Sequence, residues 1–180
     1  VRLIRCVGRA PDARAALDRW QELKRGRVQH EQDWDDIARL IRPQRGGFTL
    51  TNHADRDHRK PLPSEPILAA SSFAAGIYSG LTNPANRWFG LETPDEDFNA
   101  WRPMAEWNDI ATARVLSSFR PAMSSFYSST FQAYSDIAAF GNAAGYDELN
   151  QRERKFMDIS ISLAELVFDI DGWGRVWEVV

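Results

Sequence analysis

The hydrophobic period of this chain changes once, near Gly145, and that single change limits the folds open to it. Before it, apolar residues recur at helical spacing. From Ala13 to Arg42, Leu17, Trp20 and Leu23, then Trp34, Ile37, Ala38 and Ile41, fall at i, i+3, i+4 and i+7, the pattern of an amphipathic helix. Gly26 weakens that helix by about 1 kcal/mol relative to Ala, and Pro43 with Gly46-Gly47 stops it. Ser64 before Glu65-Pro66 opens a second helix with Ile67, Ala70, Ala74, Ile77 and Leu81 on one face. Its other positions are mostly small (Ala69, Ser71, Ser72, Ala75, Gly76, Ser79, Gly80), which suits close approach of a neighbouring backbone. Asn83 precedes Pro84 and is pushed out of the helical region, ending the element.

Trp88-Phe89-Gly90-Leu91 reads as a short strand or extended segment, whose alternation would send one aromatic ring to each face. Asp95-Glu96-Asp97 and Pro103 mark a further helix start, with Met104, Trp107, Ala111, Val115, Ser118 and Phe119 defining one face. Pro121 interrupts it, and Phe126, Tyr127, Phe131, Tyr134, Ile137 and Ala138 define the next helix, up to a C-cap glycine at Gly141. Beyond Gly145, three β-type runs follow: Phe156, Ile159 and Ile161; Leu166 to Ile170; and Val176 to Val180. The expectation is an α+β fold, with four or five helices over 13–141, a small and mainly antiparallel sheet over 142–180, and a poorly ordered tail over 1–12. The last run ends on the final residue, so the sheet reads as cut rather than finished.

Little in this chain suggests catalysis. His53 and His58 bracket Asp55 and Asp57, but a polar loop does not pre-place ligands, so a solvated loop is the expectation. Asp169-x-Asp171-Gly172 resembles the start of a calcium loop. Its twelfth position would be Val180 instead of a bidentate Glu, which leaves a hairpin turn. Gly76-x-x-x-Gly80 is a helix-packing spacing with no Gly-Lys-Ser/Thr after it, and Ser79 does not hold the central place of a nucleophile elbow. His30 reads as a surface residue and the single cysteine, Cys6, as an inert thiol. No enzyme activity, cofactor or metal is expected, and no apolar run approaches the ~18 residues of a membrane span. Residues 1–60 carry a net +5 and residues 61–180 a net −8, which argues against a dedicated DNA-binding module.

One stretch is more informative. Ala74-Ala75-Gly76, Leu81-Thr82-Asn83-Pro84 and Trp88-Phe89-Gly90-Leu91, in this order and spacing, resemble the head-to-tail connecting (portal) proteins of short-tailed double-stranded DNA bacteriophages. Trp34-x-x-Ile37-Ala38 ending at Pro43 resembles that family's first long helix. Ser117-Ser118-Phe119, Tyr134-x-Asp136-Ile137-x-x-Phe140-Gly141 and Asp169-x-Asp171-Gly172-x-Gly174-Arg175-Val176 resemble later landmarks.

The resemblance covers roughly residues 14–180 and implies part of a portal wing domain, with stem, clip and crown absent from these residues. It implies a structural subunit, not an enzyme. Copies would form a ring, expected to be dodecameric, through which DNA is packaged and ejected without sequence specificity. The implied partners are further copies, capsid, scaffold, terminase and tail adaptor proteins, with no membrane. The implied location is the portal vertex of the virion, and the host cytoplasm during assembly. Trp34, Gly76, Gly80, Leu81, Pro84, Trp88, Phe89, Phe140 and Gly141 are the structural or interface residues it points to. The alternatives are a stand-alone helical adaptor or scaffold of another assembly, or a non-functional prophage remnant.

Overall fold

The structure, a computed structural model, describes residues 13–48, 64–152, 155–173 and 175–179. The tail with Cys6, the loop with His53 and His58, and the side chain of Trp177 lie outside the described residues. Helices α1 (Ala13–Gly26), α2 (Val28–Ile41), α3 (Ser64–Leu81), α4 (Glu96–Ala100), α5 (Arg102–Ser118) and α6 (Phe126–Phe140) precede strands β1 (Ala144–Asn150), β2 (Lys155–Ile161), β3 (Phe168–Ile170) and β4 (Val176–Val179). The α+β class and the helix-then-strand order are as expected. The chain divides into two compact units, Val1–Leu68 with Ile161–Val180, and Ala69–Ser160. The change of period near Gly145 therefore marks a change of secondary structure and not a boundary between units.

In the first unit the leading helix is split, where one continuous helix was expected. Gly26 ends α1, and Arg27 sits between the helices at φ −102° and ψ 1°. From the break, the Arg27 side chain makes three hydrogen bonds. Nε donates to Glu31 Oε1 at 3.0 Å, and Nη1 donates to the carbonyls of Leu163 (3.0 Å) and Leu166 (2.6 Å). Those carbonyls belong to the turn that carries the buried side chains Leu163, Leu166 and Val167, which with Ala38 and Phe48 form this unit's apolar core. Trp34 lies beside Phe48, ring centroids 5.5 Å apart, and under the Arg27 guanidinium at 5.7 Å. Helix α2 stops at Ile41, followed by a 3-10 turn over Pro43–Arg45. Gly47, at φ 106°, takes a conformation that favours glycine, and its N–H donates to Asp35 Oδ1 at 3.1 Å. β3 and β4 pair antiparallel with Phe168 opposite Val179, and the register shifts between Asp169 and Ile170.

In the second unit, α3 buries Ala74 and ends where Pro84 requires, with Asn83 Oδ1 accepting from the N–H of Ala85 at 2.9 Å. Asp95 caps α4 by accepting from the N–H groups of Asp97 and Phe98, and Pro103 sits in the first turn of α5. Six α-helices form among the described residues, where four or five were expected; the division at Gly26 and the short α4 account for the excess. The inward face of α5 also differs. Asn108 and Thr112 are buried, while Trp107 is 59% exposed. Thr112 Oγ1 donates to the Asn108 carbonyl at 2.8 Å and accepts from the N–H of Leu91 at 3.0 Å; Asn108 Nδ2 donates to Asn99 Oδ1 at 3.2 Å. Those polar partners anchor the extended segment, so they take the place that hydrophobicity assigned to Trp107. Gly141, at φ 74°, is the left-handed C-cap of α6, its N–H donating to the Ile137 carbonyl.

Among the described residues the strands form two two-stranded sheets, β1 with β2 and β3 with β4, instead of one sheet of three runs. Strand β1 was not expected. Its Gly145, Asp147, Glu148 and Asn150 are poor strand formers by composition, and its pairing with β2 is what makes it a strand.

Candidate assembly surfaces

The segment that carries the sequence signal rests on an aromatic cluster. Trp88 and Phe89 do not part to opposite faces as alternation predicted. Their rings lie 4.7 Å apart, Trp88 stacks on Phe126 at 6.0 Å and 3°, and both face Phe119, at 6.2 and 6.3 Å. The reason is that Trp88–Leu91 belongs to no sheet, so no pleat dictates its side-chain directions; the rings follow the α5–α6 junction. Trp88 Nε1 donates to the Tyr127 hydroxyl at 3.4 Å. Tyr78, from α3, meets Phe131 and Tyr134 edge-on at 5.7 and 6.5 Å. Burial and the neighbouring Tyr127 and Tyr134 hydroxyls push the Tyr78 pKa above its ordinary value.

This cluster holds one face of α3, and on the opposite face no described residue comes close at Gly76 or Gly80. A Cβ built at Gly76 or at Gly80 would meet nothing within 4 Å. Phe73 is exposed beside this stripe, and Leu81, which the helical pattern groups with buried Ala74 on one face, is 61% exposed at the helix end. Pro84 is exposed in the turn that follows. Of the nine residues singled out from sequence, the structure brings Gly76 and Gly80 onto one open face, joins Trp88 to Phe89, and places Phe140 with Gly141 at the end of α6. Trp34 packs separately inside the first unit.

Sequence reasoning missed a polar lock at the start of α6. Ser124 Oγ donates to Asp158 Oδ2 at 2.6 Å and accepts from the N–H of Phe126 at 2.9 Å. Ser125 Oγ donates to the Asp158 carbonyl at 2.7 Å and accepts from the Asp158 N–H at 2.8 Å. The Ser-Ser pair ahead of an apolar helical run was a capping signal, but its partner on β2 is more than thirty residues away. Asp147 on β1 completes the group. Its pKa is raised by burial first, then by hydrogen bonding to Asp158 and by the Asp158 charge.

A raised carboxyl pKa means that the folded chain holds this proton more tightly than the unfolded chain. The resulting stabilisation is full below the ordinary value of 3.8 and is lost as pH rises through the raised one. The melting temperature of Asp147→Asn minus that of the parent should therefore climb as pH rises through this window, in melts from roughly pH 3 to pH 7. A difference independent of pH would contradict the pairing.

Among the described residues, no group of three or more His, Cys, Asp or Glu is placed to hold a metal ion, and no helix is long and apolar enough to cross a membrane.

A family model described as bacteriophage head to tail connecting protein matches residues 13–180. The portal protein of Salmonella phage epsilon15 is 32% identical over 131 residues, which is 71% of this chain and 23% of that protein. The probable portal protein of Bordetella phage BPP-1 is 27% identical over 162 residues, 89% of this chain and 29% of that protein. The chain thus spans less than a third of the length of either relative.

Proposed function

Because the chain belongs to the bacteriophage head to tail connecting protein family, we propose that it is the wing part of a portal subunit, copies of which close into a ring at one vertex of the capsid. Double-stranded DNA would pass through that ring during packaging and ejection, and the work would be mechanical, with no reaction catalysed by this chain. Capsid, scaffold, terminase and tail adaptor proteins would meet the ring, a dodecamer in the whole protein, which would assemble in the host cytoplasm. Stem, clip and crown would lie outside these residues. The observation that carries the reading is the family match over 13–180. The open small-residue face of α3 supports it, since a ring subunit needs a surface that another subunit can approach closely. A net −8 over residues 61–180 also suits a protein past which DNA must slide, because phosphate neutralisation would hold it.

The glycine stripe separates an assembly role from a folding role. Gly76→Ala puts a methyl group into open space and removes a helix-interior glycine, so it should raise stability by about 0.5–1 kcal/mol. Gly80→Phe should leave the melting temperature near that of the parent and weaken association at least tenfold, measured by sedimentation over a hundredfold concentration range. Association undisturbed by Gly80→Phe would remove α3 from the interface. A parent chain that stays monomeric throughout would count against the ring and favour a compact adaptor.

A further inference from the structure

Two exposed patches of this chain carry opposite charges that no described side chain answers. The first lies at the end of α1, where Trp20, Lys24, Arg25 and Val28 line an open depression. Lys24 Nζ lies 4.7 Å from the centroid of the Trp20 ring, and Val28 is exposed. Lys24 and Arg25 pair with no carboxylate among the described residues. The cations near them in sequence are already taken, Arg19 by Glu22 and Asp169, and Arg27 by Glu31.

The second patch is on α4. The rings of Phe98 and Trp101 stack with centroids 5.7 Å apart, yet remain 45% and 56% exposed. Trp is over-represented among the residues that anchor interfaces. Glu96 and Asp97, in the first turn, are exposed and pair with no cation among the described residues. The segment is held in place before any contact. Thr93 Oγ1 donates to Asn99 Oδ1 at 2.6 Å, and Asn99 Nδ2 donates to the Thr93 carbonyl at 2.8 Å. Such fixing reduces the ordering cost of binding.

Unspent charge selects this pair of patches. Among the exposed indoles of the described residues, Trp107 has its neighbours Glu106 and Asp109 paired with Arg102 and Arg87. Trp173 has Asp169 and Asp171 paired with Arg19 and Arg175. Trp101 alone keeps unpaired carboxylates in its own helical segment. The same opposition holds on the large scale, with a net +5 over residues 1–60 and −8 over residues 61–180.

We propose that α4 of one copy, through Phe98, Trp101, Glu96 and Asp97, docks on the Trp20–Lys24–Arg25 face of the next copy. Covering the rings supplies the apolar burial, and the opposed charges fix orientation and partner. Both patches are present on every copy, so the contact repeats until a ring closes. The inference rests on the ring reading above and names one of its contacts.

The test reverses each patch in a separate chain. Lys24→Glu/Arg25→Glu makes both patches of one chain acidic, and Glu96→Lys/Asp97→Lys makes both patches of the other basic. Each variant alone should associate at least about tenfold more weakly than the parent in sedimentation, because like charges then meet. An equimolar mixture should recover association to within about threefold of the parent, since each chain again meets an opposite charge. Acidic residues favour a first turn, so melts accompany both variants. If Glu96→Lys/Asp97→Lys melts well below the parent, Trp101→Ser replaces it and should weaken association at least about tenfold. Where the parent associates, a mixture that stays weak, or a variant of either patch that associates like the parent, overturns this contact and leaves the ring reading standing. A parent that never associates overturns both.

Discussion

Arg27→Ala should be among the most damaging single substitutions in this chain, costing about 3–5 kcal/mol. One buried guanidinium satisfies three acceptors: the Glu31 carboxylate and the carbonyls of Leu163 and Leu166. Both members of the ion pair are almost fully shielded, with side-chain exposures of 11% and 6%. Removing the cation leaves a buried carboxylate with no counter-charge, the circumstance in which a broken buried pair is most expensive. It also strips two carbonyls of their donor beside the buried Leu163 and Leu166, adding the cost of unmet polar groups. Arg27→Lys should restore only part of the loss, because an ammonium is a point donor without the planar fork that spans these acceptors. Arg27→Ala/Glu31→Leu should recover stability relative to Arg27→Ala by removing the stranded charge. Urea unfolding of the three variants checks this; a loss below about 1 kcal/mol for Arg27→Ala would contradict the role assigned to the α1–α2 break.

The second large effect is expected at Trp88. Its ring meets Phe89, Phe119 and Phe126, so it ties the segment after α3 to the junction of α5 and α6. Truncation to Ala should cost about 3–5 kcal/mol, the usual range for deleting a packed aromatic side chain. Trp88→Phe should cost much less, since a ring remains to stack on Phe126. Phe89→Ala should be damaging too, because both rings belong to one cluster. If the two sat on opposite faces, one of them would be nearly silent. Thermal melts near the parent value for both Trp88→Ala and Phe89→Ala would refute the cluster as a source of stability.

The sequence showed the local features of the fold plainly. Pro43, Pro84 and Pro103 end or begin helices for backbone reasons that need no partner, and Gly141 adopts the one conformation its position requires. The α+β class followed from the change of period. What it could not show depended on residues far apart. Asn108 and Thr112 are buried because Asn99 and Leu91 reach them, and a polar pair at i and i+4 gives no hint of that. Ala144–Asn150 is a strand because β2 pairs with it, and partition into two sheets is a matter of pairing, which short-range pattern leaves open. The split at Arg27 had a local cue in Gly26, but two of the three acceptors of its side chain, the Leu163 and Leu166 carbonyls, lie 136 and 139 residues away.

The spacing of Gly76 and Gly80 marked a small-residue face of α3 in the sequence, because helical period alone sets which residues share a face, and no described residue comes within 4 Å of a Cβ at either glycine. The exposure of Trp173 was not legible, because exposure of a ring is a property of the fold.

On the proposed function, copies of this chain close into a ring. Native mass spectrometry of the chain at high concentration measures that directly, since each copy adds 20.5 kDa. A single dominant species at one integer multiple of that mass, with no larger species as concentration rises, is the predicted result. A monomer at every concentration, or an open-ended ladder of masses that never settles on one multiple, would contradict it.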